Sequence, residues 1–105
     1  MTIDARAIAE TILHQLKAGR DDFNNSGIAL MMCWGFSKPR IVDSGLIFNV
    51  NGRLLSGTVQ VCYNRGKDLY DVIFSDKHKK MSKYIEDVYA EELTRVIDGV
   101  VESGK

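Results

Sequence analysis

The segment Gly99-Val100-Val101-Glu102-Ser103-Gly104-Lys105 spells GxxxxGK, the opening of a phosphate-binding P-loop. That chemistry needs a strand before the loop, backbone N–H groups around the phosphates, and a Ser or Thr after the Lys to hold magnesium. A helical pattern precedes this segment, and no Ser or Thr follows Lys105 in the sequence. The match is expected to be incidental. His14 and His78, the two histidines of the chain, could each act as a general base. Neither has a nucleophile or an orienting carboxylate at a recognisable spacing, so both read as solvated surface groups. The two cysteines, Cys33 and Cys62, are not in a CxxC pair, which excludes a zinc ribbon or a dithiol redox centre. They read as free thiols of a reducing cytosol, with a Cys33–Cys62 disulfide as the alternative. A metal site built from His14, His78, Cys33 and Cys62 would need four separated elements to converge, without the paired spacing that zinc ligands show. Asp21-Asp22-Phe23-Asn24-Asn25-Ser26 is rich in oxygen ligands but lacks the glycine and terminal glutamate of a calcium loop. The residues therefore name no catalytic group, no cofactor and no metal.

Two clusters could bind rather than react. Lys77, Lys79, Lys80 and Lys83 form the one basic run, with His78 among them. If a helix starts just after them, lysines and free backbone N–H groups could share a phosphate. A helix, strands, and a second helix preceded by KKxxK is also the order of a double-stranded-RNA-binding domain. Trp34, Phe36 and Pro39 surround a break in the pattern; if exposed, they would anchor a protein partner, because aromatic residues dominate interface hot spots.

The elements that must position these groups follow from periodicity. Ala5, Ile8, Ala9, Ile12, Leu13 and Leu16 mark one face of a helix. Thr2 or Asp4 would cap its start, and Gly19 would end it in a left-handed conformation. Ile28 to Trp34, apolar on both faces, is read as a covered strand; a buried helical turn has the same pattern. Leu46, Phe48 and Val50 alternate into a second strand, followed by a loop from Asn51 to Gly57. Val59, Val61 and Tyr63 point inward on the next strand. Asn64 to Asp68 turns the chain, and Leu69 to Ser75 closes a three-strand meander with Tyr70, Val72 and Phe74 on one face. A final helix is expected from Ser82 or Asp87 to about Glu102, with Tyr89, Leu93, Val96, Ile97 and Val100 as its apolar face. The fold class is therefore α+β: an N-terminal helix, a three- to four-stranded mostly antiparallel sheet and a C-terminal helix. Both helices should lie on one face of the sheet.

Length and charge bound the rest. The 105 residues fit one domain, 1–105, at 45% hydrophobic and 27% charged. Fourteen basic and 14 acidic residues cancel, so the basic excess usual in a duplex-binding protein is missing. The N-terminus lacks a signal-peptide layout, and the longest apolar run is too short for a bilayer. A cytoplasmic protein without membrane contact is expected.

Four stretches are of a familiar kind. They are Ile8 to Leu16, Gly45 to Phe48, Asp68 to Phe74, and Val88 to Leu93. Together they resemble a family of small uncharacterised proteins encoded in phages and mobile elements of bacteria. The resemblance implies a bacterial or phage cytoplasm and an accessory role; it carries no activity. The combined reading is a non-enzymatic module that binds another protein, with a homodimer through an exposed sheet edge as one form. The alternative is a nucleic-acid binder using the lysine run.

Overall fold

The structure, a computed structural model, describes residues 5–20, 24–42 and 44–103. Thr2 and Asp4, Asp21 and Asp22, and Gly104 and Lys105 lie outside the described residues, and with them the expected helix cap, part of the acidic turn and the end of the GxxxxGK match. Helix α1 (Ala5–Ala18) buries Ile8, Ala9, Ile12 and Leu16, the expected face. Helix α2 (Gly27–Cys33) follows. Five strands come next: β1 (Ser37–Val42), β2 (Gly45–Asn51), β3 (Ser56–Asn64), β4 (Leu69–Asp76) and β5 (Met81–Val88). A 3₁₀ turn (Ala90–Glu92) leads into helix α3 (Leu93–Asp98), which runs on as a π-helical turn (Gly99–Ser103).

The strands form one antiparallel meander in the order β1-β2-β3-β4-β5. The fold is α+β, as expected, with five strands and three helices where three to four strands and two helices were expected. Leu46, Phe48 and Val50 of β2, Val59 and Val61 of β3, and Tyr70, Val72 and Phe74 of β4 face one way. They share one core with Ile12 and Leu16 of α1, Leu30 of α2, and Leu93 and Ile97 of α3. All three helices therefore gather on a single face of the sheet. The opposite face carries the cross-strand row Arg40, Ile47, Gln60, Ile73 and Tyr84.

Two expected elements are corrected. Ile28 to Trp34 is not a strand but most of α2. Ala29, Leu30, Met31 and Met32 at its centre are good helix formers, and the helix has explicit stops. The Ser26 hydroxyl accepts the Ala29 N–H at 3.2 Å as N-cap. At the other end Gly35 takes φ +66°, the Phe36 N–H reaches the Met31 carbonyl, and the Gly35 N–H reaches the Met32 carbonyl. That pair of bonds is a Schellman stop. The second correction concerns Met81 to Val88, a strand paired with β4 and not the first half of a helix. Tyr89 is accordingly exposed, while Leu93 and Ile97 keep their expected burial and Val101 joins them.

Gly19 is needed for a reason other than the one expected. A Cβ there would sit 2.1 Å from the Thr94 hydroxyl oxygen, so close packing of α3 on α1 excludes a side chain. Thr94 uses that approach to donate to the Leu16 carbonyl at 2.9 Å.

Candidate functional site

The site begins with how α2 is seated on α1. The Gly27 N–H bonds the Gly19 carbonyl at 2.8 Å, and a Cβ on Gly27 would lie 1.8 Å from the Leu16 carbonyl oxygen. Only glycine lets the two helices approach so closely. Leu30 and Met31 then point into the core, and Ile28 and Met32, one turn apart, point out. Their exposures are 56% and 78%. Between the helices lies a groove of about 260 Å³ lined by Leu13, Lys17, Ile28, Met31, Met32 and Phe36. Among the described residues Lys17 is the one charged side chain in that lining.

Of the three expected anchor residues, the structure brings one to this groove. Phe36 is half-buried at its floor, its ring 4.6 Å from that of Phe48. Trp34 is fully buried instead, and its indole Nε1 donates to the Asp98 carboxylate at 2.9 Å. It closes the core and presents nothing to a partner. Pro39 is exposed on the edge strand β1, away from the lining. Sequence reasoning missed Ile28 and Met32. The signal lay in Ser26 and Gly35, a cap and a stop at the two ends of one short helix.

A second concavity, of about 290 Å³, lies between α1 and the β3–β4 hairpin. Gln15, Tyr63, Asp68 and Tyr70 supply its polar atoms, and Ala7 and Ile8 its apolar wall. The Tyr63 hydroxyl donates to the Asp68 carboxylate, which pushes that phenol above its usual range. Burial pushes Tyr70 up as well, against an opposing hydrogen bond from Gln15. Both phenols are therefore neutral near pH 7 and neither is an activated nucleophile. The Gln15 Oε1 atom is buried with no hydrogen-bond partner among the described residues.

The lysine run sits elsewhere and in a different setting from the one expected. Lys77, Lys79 and Lys80 are exposed on the β4–β5 turn, and Lys83 is exposed on β5. The Asp76 carboxylate fixes this turn by accepting the N–H groups of His78 at 2.9 Å and Lys80 at 3.0 Å, with Lys79 at φ +62°. The Lys80 N–H first, and that of His78 after it, hold the Asp76 carboxyl below the usual carboxylate range. A strand follows the lysines, so no helix N-terminus shares a phosphate with them, and the layout differs from that of a double-stranded-RNA-binding domain.

The remaining chemical candidates are dispersed. His14 lies exposed on α1 and His78 on the far turn. Cys33 and Cys62 are both free thiols, the first exposed on α2 and the second half-buried on β3. Burial pushes the Cys62 thiol above its ordinary value, which disfavours the reactive thiolate. Among the described residues no group of three or more His, Cys, Asp or Glu side chains could hold a metal ion. The described part of the GxxxxGK match is a docking element: the Val101 carbonyl accepts the N–H groups of Leu54 and Leu55, and the Glu102 carboxylate accepts that of Arg53. Its backbone is turned to the β2–β3 loop. Among the described residues no helix is long and apolar enough to cross a membrane.

Comparison with family models, with curated proteins and with solved structures finds no match to this chain.

Proposed function

We propose that the chain is a small non-enzymatic module that binds another protein, and that the groove between α1 and α2 receives a short amphipathic helix of that partner. The observation that carries this reading is the pair Ile28 and Met32, outward and largely exposed beside an apolar groove. Contiguous exposed apolar surface marks interaction sites in soluble chains. Methionine suits the role because its flexible thioether fills irregular gaps. An apolar groove between helices takes a helix through anchors at i, i+3 or i+4, and i+7. Lys17 at the wall selects a partner helix with an acidic residue beside its apolar stripe. The phage or mobile-element setting suggested by the resembling stretches fits an accessory role in a bacterial cytoplasm.

The test compares two baits in one lysate: the natural chain and the double variant Ile28→Asp, Met32→Asp. Both positions are exposed, so the variant should fold, with circular dichroism as the check. The expected result is a partner identified by mass spectrometry that carries an acidic amphipathic helix and is lost with the variant. A partner retained equally by both baits, or none retained by the natural chain, would overturn the reading.

A further inference from the structure

From the pocket between α1 and the β3–β4 hairpin we infer a binding site for a cationic head on an apolar stem, an alkylammonium or guanidinium group. This site is separate from the α1–α2 groove and stands or falls apart from it. Its lining includes two side-chain oxygen acceptors, on Asp68 and Gln15. Asp68 supplies a carboxylate whose Oδ1 already holds the Tyr63 hydroxyl, which orients it and leaves its other lone pairs for a donor. The Gln15 Oε1 atom is a second acceptor, buried and without a partner among the described residues. Unpaired buried acceptors are rare in folded proteins and call for an explanation; a donor from a ligand supplies one.

The aromatic pair adds to the same preference. Tyr63 and Tyr70 lie with ring centroids 5.5 Å apart at an angle of 50°, and both line the pocket. Cations are attracted to the faces of such rings. Among the described residues no basic side chain is in the lining. The lysine of the same hairpin, Lys67, is held by Asp87 of β5 at 3.1 Å. The Thr11 hydroxyl is turned to the Ala7 carbonyl, so it adds no competing donor. Ala7 and Ile8 offer an apolar wall for the stem, and about 290 Å³ exceeds what a four-carbon stem and its head require. A carboxylate, an amide oxygen and two tyrosine rings in one lining together favour a positive group with several N–H donors.

The experiment is a titration of the full chain followed by amide and side-chain NMR, with n-butylammonium as probe. Butanol and butyrate, with the same stem, are the controls. The expected result is a saturable shift of the Gln15 side-chain amide and of Tyr63 and Tyr70, seen with the ammonium and absent with both controls. Asp68→Asn keeps a residue that tolerates the φ of +55° at this turn and removes the charge. It should weaken binding about tenfold. Gln15→Leu removes the buried acceptor and should weaken binding while leaving the fold intact. Shifts of equal size from butanol, or an affinity unchanged in Asp68→Asn, would overturn the inference. Peptides with a single internal Lys or Arg form a second arm. Tighter binding of the peptide than of butylammonium assigns the head to a protein side chain, and equal binding assigns it to a free amine.

Discussion

Two side chains show how single residues decide what this molecule offers. Trp34 is the largest aromatic group in the chain and a natural choice for a surface anchor. It is instead fully buried, and its one donor meets the Asp98 carboxylate at 2.9 Å across 64 positions of sequence. The pair ties the end of α2 to the end of α3. Trp34→Phe keeps an aromatic ring and removes the donor; it should lower unfolding stability by roughly 1–3 kcal/mol in urea titration, the usual cost of breaking a buried bond to a charged group. The second is Asp76. Its carboxylate closes the lysine turn with two backbone bonds, which lower its pKa in the native state. The unfolded chain, with a value near 3.9, binds the proton more readily. The contribution of the turn is therefore full above that value and falls as pH drops through the lower native one. NMR titration of the Asp76 carboxyl carbon should give a midpoint below the ordinary aspartate range, and Asp76→Asn should remove this part of the acid dependence. A midpoint at or above that range would show that the turn is not held this way.

At the scale of elements, what could be read from sequence divides along a physical line. Helix α1 and strands β2, β3 and β4 have one wet face and one dry face, so their alternation is written in the residue types. Tyr70, Val72 and Phe74 point inward as expected, as do Leu46, Phe48 and Val50. Helix α2 has no such contrast. Seven residues long and apolar all round, it resembles a covered strand in composition. What distinguishes it is punctuation: Ser26 in front and Gly35 behind. Strand β5 fails for the opposite reason. As an edge strand it is exposed along most of its length, with two register irregularities, so it shows no period-two stripe. The helical spacing of Leu93 and Ile97 then extends backwards too far. The candidate groove was illegible for the same reason that α2 was. Its anchors, Ile28 and Met32, come into view only once the segment is wound as a helix. Ser26→Ala should cost about 1 kcal/mol by loss of the cap, a drop of about 4–8 °C in Tm for a domain of this size. Gly27→Ala should cost about 2–3 kcal/mol, because a Cβ 1.8 Å from the Leu16 carbonyl forces α2 away from α1. Were Ile28 to Trp34 a strand, neither change would show this order of effects in thermal unfolding.

The whole molecule is a two-layer arrangement: helices on one side, an open sheet face on the other, and two guarded edges. Strand β1 carries Pro39, which has no N–H, Lys38 at φ +51°, and an irregular register between Ser37 and Arg40. Strand β5 carries Lys83 and its two irregularities. Proline, lysine and bulges are the devices by which natural sheets avoid edge-to-edge pairing, so the edge is a poor route to the homodimer first expected. The α1–α2 groove exposes Ile28 and Met32 side by side, and the proposal is that a partner helix lies in it. Site-specific photocrosslinking tests this directly. A benzophenone amino acid is placed at position 32 in one bait, at position 84 on the open sheet face in a second, and at position 79 on the lysine turn in a third. One dominant adduct with the same partner is expected from position 32, weakened when Ile28→Asp is added, with little or none from positions 84 and 79. Adducts of equal yield from all three positions, or a dominant adduct from position 84 or 79, would contradict it.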